Sequence, residues 1–160
     1  MATYRILLSL HIIAVVVGLG VTFAYPFMQA FAERQGVGAT RFVLKFMQRM
    51  EKMVVAPGAV LVFVFGLGLM FSDVTGYKDD MPAWLMIGIA WYLAVVAVAV
   101  FVLRPAVARA LTTLDGARDE SVLPAAYVPI GKRIQMIGGV LGLDILGIAV
   151  LMILGRTGAF

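Results

Sequence analysis

The sequence contains no cysteine, a single histidine and few charged residues. Charged side chains make up 14% of the 160 residues, whereas a soluble domain carries roughly a quarter. Without cysteine the chain has no disulfides, thiolate-bound zinc sites, iron–sulfur clusters or cysteine nucleophiles. Hydrophobic residues account for 62% of the chain, which leaves too little polar surface for a protein surrounded by water. The composition therefore indicates a membrane protein.

Motifs of the common enzyme classes are also missing. The sequence holds no phosphate-binding loop, no dinucleotide-binding fingerprint, no Ser-His-Asp set and no paired carboxylates. The net charge is +4, but the basic residues flank hydrophobic segments, where lipid headgroups explain them better than nucleic acid does. We therefore expect no nucleic-acid binding and assign no catalytic residue. The sequence leaves open whether the chain is an enzyme, although the missing motifs favour a protein without catalytic activity.

Four apolar segments are long enough to cross a bilayer. They span about 4–31, 54–72, 82–103 and 134–154, and Ala106–Leu114 is predicted to continue the third helix into the cytoplasm. The prediction is an all-α, polytopic membrane protein whose single domain, 1–160, is a four-transmembrane-helix bundle. We expect this domain to be embedded in the lipid bilayer.

A short amphipathic helix is predicted between the first two helices, over residues 40–53. Its apolar residues recur at three- and four-residue spacing, while four basic residues take the other side. The apolar residues are Phe42, Phe46, Met50 and Met53, and the basic ones are Arg41, Lys45, Arg49 and Lys52. Such a helix either lies along the membrane surface or extends the second segment. The sequence leaves both placements open.

The distribution of Lys and Arg predicts the orientation. These residues number five in the first connection, one in the second, five in the third and one at each terminus. By the positive-inside rule, the first and third connections face the cytoplasm and both termini face outward. We expect the protein in the bacterial cytoplasmic (inner) membrane.

His11 is the first candidate for a functional residue. It lies in the first helix, about 10 Å below the outer surface at 1.5 Å per residue. An imidazole at this depth should face the bundle interior, hydrogen-bonded or bound to a ligand. One interpretation is a neutral histidine that donates to a backbone carbonyl, a hydroxyl or Asp144. The other is an axial ligand of haem iron, five-coordinate or completed by a Met or water. Metal binding by His11 is expected only through haem iron.

Asp144, near the middle of the fourth helix, is the second candidate. It lies about 16 Å below the same surface, where carboxylates are rare and usually paired, protonated or functional. If the first and fourth helices are neighbours, Asp144 could orient the His11 imidazole from behind and make it a better ligand. Alternatively, the two residues bind a proton or a cation, or simply tie two helices together.

Gly138 and Gly142 form a GxxxG pair on the fourth helix. Such pairs allow close helix packing in membranes. The pair either seals the fourth helix inside the bundle or builds a homodimer face, and we favour the first alternative.

Short motifs along nearly the whole chain resemble those of a known family. They are Leu10-His11-Ile12-Ile13, Ala56-Pro57, Gly66-Leu67, Gly76-Tyr77, Trp84-Leu85, Tyr92-Leu93, Leu123-Pro124-Ala125-Ala126-Tyr127 and Leu151-Met152. The resemblance is to an uncharacterised group of bacterial four-helix predicted membrane proteins, known only as a domain of unknown function. It implies the fold and no activity.

A more distant likeness is to the J-type protoporphyrinogen oxidase, a haem-containing membrane enzyme. Its motifs are similar to Leu10-His11-Ile12, Met50-Glu51-Lys52 and Pro57-Gly58. The resemblance implies that His11 binds haem, but the methionine that supplies the second ligand in that family is Ala59 here. The membrane domain of copper-resistance proteins is similar in outline, although one histidine and no cysteine give copper transport little support.

Three hypotheses about function follow. The leading one is a protein that binds b-type haem through His11, with Asp144 behind it, for redox chemistry or haem handling. The second is a non-catalytic accessory subunit of a homodimer or a larger membrane complex. The third is a carrier of protons or small cations that uses His11 and Asp144. The sequence specifies neither a substrate nor a redox partner.

Overall fold

The fold consists of four long helices. The computed structural model describes residues 2–117 and 121–157, and every regular element in those ranges is helical; the ends of the predicted domain, 1–160, lie outside them. The helices are α1 (Ala2–Glu33), α2 (Val37–Met70), α3 (Ala83–Asp115) and α4 (Tyr127–Arg156), and each is long and apolar enough to cross a membrane. The predicted all-α fold with four such helices is confirmed.

The helices extend further than their apolar segments predict. The apolar segments placed the start of α2 at about residue 54 and the end of α3 at about 103, but α2 begins at Val37 and α3 ends at Asp115. The predicted continuation of the third helix over Ala106–Leu114 is thus confirmed. The predicted amphipathic segment is helical over Val37–Met50 and continues directly into the rest of α2. Of its two possible placements, the structure therefore has the extension. Hydropathy marks only the part of a helix that suits lipid, so amphipathic continuations escape it.

Proline residues explain three irregular turns inside the long helices. The turns are a 3-10 turn at Val21–Ala24 and π turns at Glu51–Val55 and Ala99–Leu103. They precede Pro26, Pro57 and Pro105, respectively. Because proline lacks an N–H and its ring displaces the carbonyl four residues earlier, the regular bonding pattern fails at that carbonyl, which lies within the irregular turn in each case. The helices adjust locally and continue.

α1 and α2 form a tight antiparallel hairpin. Gly36 in the turn between them has a φ of 102°, a conformation that favours glycine, and its carbonyl accepts a bond of 2.8 Å from the Thr40 hydroxyl. Further along, the helices meet at Gly18 and Gly58. A Cβ atom added to Gly18 would lie 2.7 Å from Cα of Gly58, so a side chain there would force the helices apart.

The main core lies at one end of the bundle. We call this the basic end; it contains the α1–α2 turn, the first half of α2, the last turns of α3 and the start of α4. There α2 packs against α3, and α1 against α4. The buried residues of this core are Tyr25, Val37, Leu44, Met47, Val107, Ala110, Leu111, Leu114, Tyr127 and Ile134. In the other half, the main contacts are α1 with α2 and α3 with α4.

The two glycines of the predicted GxxxG pair face α1. A Cβ atom on Gly138 would lie 3.6 Å from Cγ of Pro26, and one on Gly142 would lie 3.6 Å from the Phe23 ring. These are ordinary contact distances within one chain. The glycine stripe thus packs α4 inside the bundle, as the favoured interpretation predicted.

Candidate functional site

His11 is held against α2 by a backbone carbonyl. Its Nδ1 lies 2.9 Å from the carbonyl oxygen of Val62. Since a carbonyl only accepts, Nδ1 carries the proton and donates it, which leaves the lone pair of the neutral ring on Nε2. The ring approaches the backbone closely because position 66 is glycine: a Cβ atom on Gly66 would lie 3.3 Å from Cε1 of His11.

The second ring nitrogen of His11 is available for binding. Nε2 makes no hydrogen bond with any residue that the structure describes, and it is not fully buried. The hydrogen bond to a backbone carbonyl is the one expected of a structural histidine. It also presents Nε2 in the form that coordinates a metal. The geometry is therefore compatible with both interpretations.

Asp144 has a partner on α3. The indole nitrogen Nε1 of Trp91 donates to Oδ1 of Asp144 over 3.1 Å. Gly147, one turn further along α4, makes room for the indole: a Cβ atom there would lie 2.7 Å from Cη2 of Trp91. Trp91 and Asp144 thus join α3 to α4 within the membrane-crossing segments. The sequence analysis did not connect Trp91 with Asp144.

The predicted contact between His11 and Asp144 is not present. Within residues 2–117 and 121–157, no hydrogen bond or ion pair joins these two side chains, since α2 holds His11 and α3 holds Asp144. The physical reason is the helix pairing, because in this half α1 packs against α2 and α4 against α3. The sequence predicts similar membrane depths for His11 and Asp144. Depth alone does not determine which helices are neighbours. In the described residues, Asp144 therefore makes no direct bond to the His11 imidazole.

A groove runs between α3 and α4 beside Asp144. Its volume is about 300 Å³. The lining residues are Trp91, Ala94, Val95, Val98, Met136, Ile137, Val140, Leu141 and Asp144. Met136 and Val140 are 65% and 53% exposed, so the groove opens to the surroundings of the bundle. Asp144 is the one carboxylate in an otherwise apolar lining.

A second polar cluster joins α1 to α4 at the basic end. Oε1 of Glu33 accepts hydrogen bonds from Nε2 of Gln29 over 2.9 Å and from the hydroxyl of Tyr127 over 2.7 Å. Oε2 of Glu33 accepts one from Nε2 of Gln135 over 2.7 Å. Nε2 of Gln29 also lies 3.1 Å from the carbonyl of Gly131. We call these five residues the Glu33 cluster.

Two polar atoms in this region are buried without a partner. Gln29 is 0% exposed, and its Oε1 finds no hydrogen-bond donor among the residues described; the same holds for the hydroxyl of Tyr25. Leaving such a group unpaired costs about 1–3 kcal/mol. Ordered water commonly satisfies groups of this kind.

The sequence analysis missed the Glu33 cluster. Each of its residues is ordinary when taken alone, but their spacing carried a signal. Gln29 and Glu33 are four residues apart, as are Tyr127, Gly131 and Gln135, and residues at this spacing share one face of a helix. A polar stripe at the end of α1 and another at the start of α4 indicate that these two helix faces pack against each other.

The comparison with family models identifies the chain. A model described as "Predicted integral membrane protein (DUF2269)" matches residues 5–155. The chain belongs to this family. The predicted resemblance to an uncharacterised family of membrane proteins is confirmed, and the chain is an integral, multi-pass membrane protein. No curated protein and no solved structure matches it.

The likenesses to the protoporphyrinogen oxidase and to the copper-resistance membrane domain remain resemblances only. The description of the matched family names no activity. Any specific function of this membrane protein must therefore be inferred from its sites. Within the described residues, no group of three or more His, Cys, Asp or Glu side chains is placed to hold a metal ion. A metal at His11 would thus need most of its ligands from a cofactor.

Proposed function

We propose that this membrane protein binds b-type haem through Nε2 of His11, in a redox or haem-handling role. The observation that carries the proposal is the 2.9 Å bond from Nδ1 of His11 to the Val62 carbonyl. Metal-binding histidines usually donate their other N–H to a carbonyl or carboxylate, which fixes the tautomer and the ring orientation. Bound haem would supply a redox-active iron.

The residues around His11 support a single protein ligand. Gly66 lets the imidazole reach the α2 backbone, and the carbonyl of Val62 then holds the ring plane. Position 59, where the oxidase-like family has its methionine, is alanine, and its carbonyl accepts the Tyr92 hydroxyl over 2.7 Å. The proposal is accordingly for iron with one protein ligand, His11.

The test is a visible absorption spectrum of the protein purified from haem-sufficient membranes. We expect a Soret band close to stoichiometric with protein, lost in His11→Ala. Asp144→Asn is the matched control: it changes another polar residue within the membrane-crossing segments that has no bond to His11, so the band should stay. A parent protein that is helical by circular dichroism and colourless would overturn the proposal.

An accessory subunit is the second candidate function. The observation that favours it is the exposure of α3. Only 6% of the most apolar stretch of α3 is buried inside the bundle, against 17% in α1 and in α2. Such a surface is available to lipid or to a helix of another protein. Migration of the native protein as a complex larger than the free chain, in mild detergent, supports this role, whereas migration as the free chain opposes it.

The carrier hypothesis loses its geometric basis. It required His11 and Asp144 to act as a pair, and these residues have separate partners on different helices. We do not propose it further.

A further inference from the structure

Only one of the two oxygens of the Asp144 carboxylate has a hydrogen-bond partner among the described residues. Oδ1 accepts the Trp91 indole N–H. Oδ2 makes no hydrogen bond with the described part of the chain, is not fully buried, and belongs to a residue that lines the α3–α4 groove. An intramembrane carboxylate is costly unless it is paired or protonated, so a hydrogen-bond donor or a cation at Oδ2 would lower this cost.

The shape of the groove suits a helix. Met136, Val140 and Asp144 follow one another at four-residue spacing along one wall, which extends the groove by about 12 Å parallel to the helix axis. Trp91, Val95 and Val98 form the facing wall on α3. An elongated, open-sided channel between two neighbouring helices can receive a row of side chains from a third helix.

The depth of Asp144 restricts the molecules that could supply a donor to it. Asp144 lies 11 residues after Arg133 and 12 residues before Arg156, the basic residues that flank it on α4. The apolar stretches that the sequence assigns to α2, α3 and α4, residues 54–72, 82–103 and 134–154, contain no Lys or Arg. α1 contributes only Arg5, near its start. A second copy of the chain therefore has no Lys or Arg at the depth of Asp144. Its His11, at a similar depth, already donates its Nδ1 proton to the Val62 carbonyl, so the neutral ring has no further proton to donate.

We propose that the α3–α4 groove binds a transmembrane helix of a different protein, which carries a Lys or Arg at mid-membrane depth. The cationic side chain pairs with Oδ2 of Asp144, while Trp91 holds Oδ1 and so fixes the carboxylate. The apolar walls formed by Val95, Val98 and Val140 pack against the rest of the helix. This inference rests on the accessory-subunit role and names its surface and the chemistry of its partner.

The experiment uses the whole chain in lipid bilayers and a designed peptide as the probe. The chain has two tryptophans, so Trp84→Phe leaves Trp91, in the wall of the groove, as the only one. The peptide is a tryptophan-free, Leu-rich helix of about 20 residues with one central Lys and a dansyl group. A matched peptide has Leu in place of the Lys. Energy transfer from Trp91 to dansyl reports binding.

We expect the Lys peptide to reach half-saturation at an about tenfold lower peptide-to-protein ratio than the Leu peptide, because a polar contact between membrane helices in model peptides has this strength. In Asp144→Asn, which keeps an acceptor for Trp91, the preference should disappear. Asp79→Asn, in the α2–α3 loop, should leave it unchanged. Equal binding of both peptides, or a preference that survives in Asp144→Asn, would overturn the inference.

A second measurement separates failure of the groove from failure of the accessory role. The native protein and Asp144→Asn are extracted in mild detergent and compared on native gels. Loss of a larger complex in Asp144→Asn supports the inference. A complex that persists in Asp144→Asn overturns the groove while the accessory role stands. A parent that migrates as the free chain overturns the accessory role itself.

Discussion

The imidazole of His11 lies so close to Gly66 that a single methyl group at position 66 would stand 3.3 Å from Cε1 of the ring. This distance is shorter than an ordinary van der Waals contact. The ring has little freedom to move away, because its Nδ1 is bonded to Val62 one turn earlier on the same helix. The absence of a side chain at position 66 therefore makes room for the imidazole of His11 and lets it reach the α2 backbone.

Gly66→Ala should weaken the bond between His11 and Val62. We expect the free energy of unfolding to fall by about 1 kcal/mol, since overpacking a tight contact costs about this much. The measurement is unfolding in sodium dodecyl sulfate followed by circular dichroism. Gly20→Ala is the control, because a Cβ atom at position 20 meets nothing within 4 Å. Equal effects of both substitutions would contradict the described packing.

Tyr127→Phe should destabilise the attachment of α4 to α1. The Tyr127 hydroxyl donates to Glu33 over 2.7 Å, and loss of a hydrogen bond to a carboxylate costs about 1–3 kcal/mol. Tyr25→Phe is a matched control, since it removes a buried hydroxyl that has no partner within the described residues and should be neutral or stabilising. The same unfolding assay compares the two. If Tyr25→Phe is as costly as Tyr127→Phe, the Tyr25 hydroxyl has a partner such as bound water.

Trp91→Phe should leave Oδ1 of Asp144 without its donor. We expect a loss of about 1–3 kcal/mol in the free energy of unfolding. Adding Asp144→Leu removes the orphaned carboxylate, so the double variant should regain part of that loss. A cycle of the parent, the two single variants and the double variant measures the coupling, which we expect at about 1 kcal/mol. A coupling near zero would mean that the Trp91–Asp144 hydrogen bond contributes nothing to stability.

Apolar segment length was enough to predict four membrane-crossing helices, because a bilayer demands long apolar runs wherever the chain crosses it. The four-residue spacing of Phe42, Phe46 and Met50 likewise predicted the amphipathic helix. The helix ends were less predictable. Val37 lies in an amphipathic stretch whose stability depends on packing against other helices, and hydropathy does not report such packing.

The neighbours of a buried side chain were the least predictable feature. His11 and Asp144 were placed at similar depths from the sequence, but their contact depended on which helices pair, and the structure places Val62 and Trp91 beside them instead. The Glu33 cluster escaped for a related reason, since its residues come from opposite ends of the sequence. Spacing along one helix defines a face, and only the packed bundle defines what that face meets.

In the half of the bundle away from the basic end, α1 packs mainly against α2 and α3 against α4, and this pairing bears on biosynthesis. α1 and α2 are consecutive, are joined by the short turn at Gly36, and make their closest contact between Gly18 and Gly58. This hairpin is complete in sequence before α3 leaves the ribosome, so it can enter the lipid as a finished unit. We expect the two hairpins to dock afterwards, and the bonds that Glu33 accepts from Tyr127 and Gln135 to form in that last step, because they bridge α1 and α4.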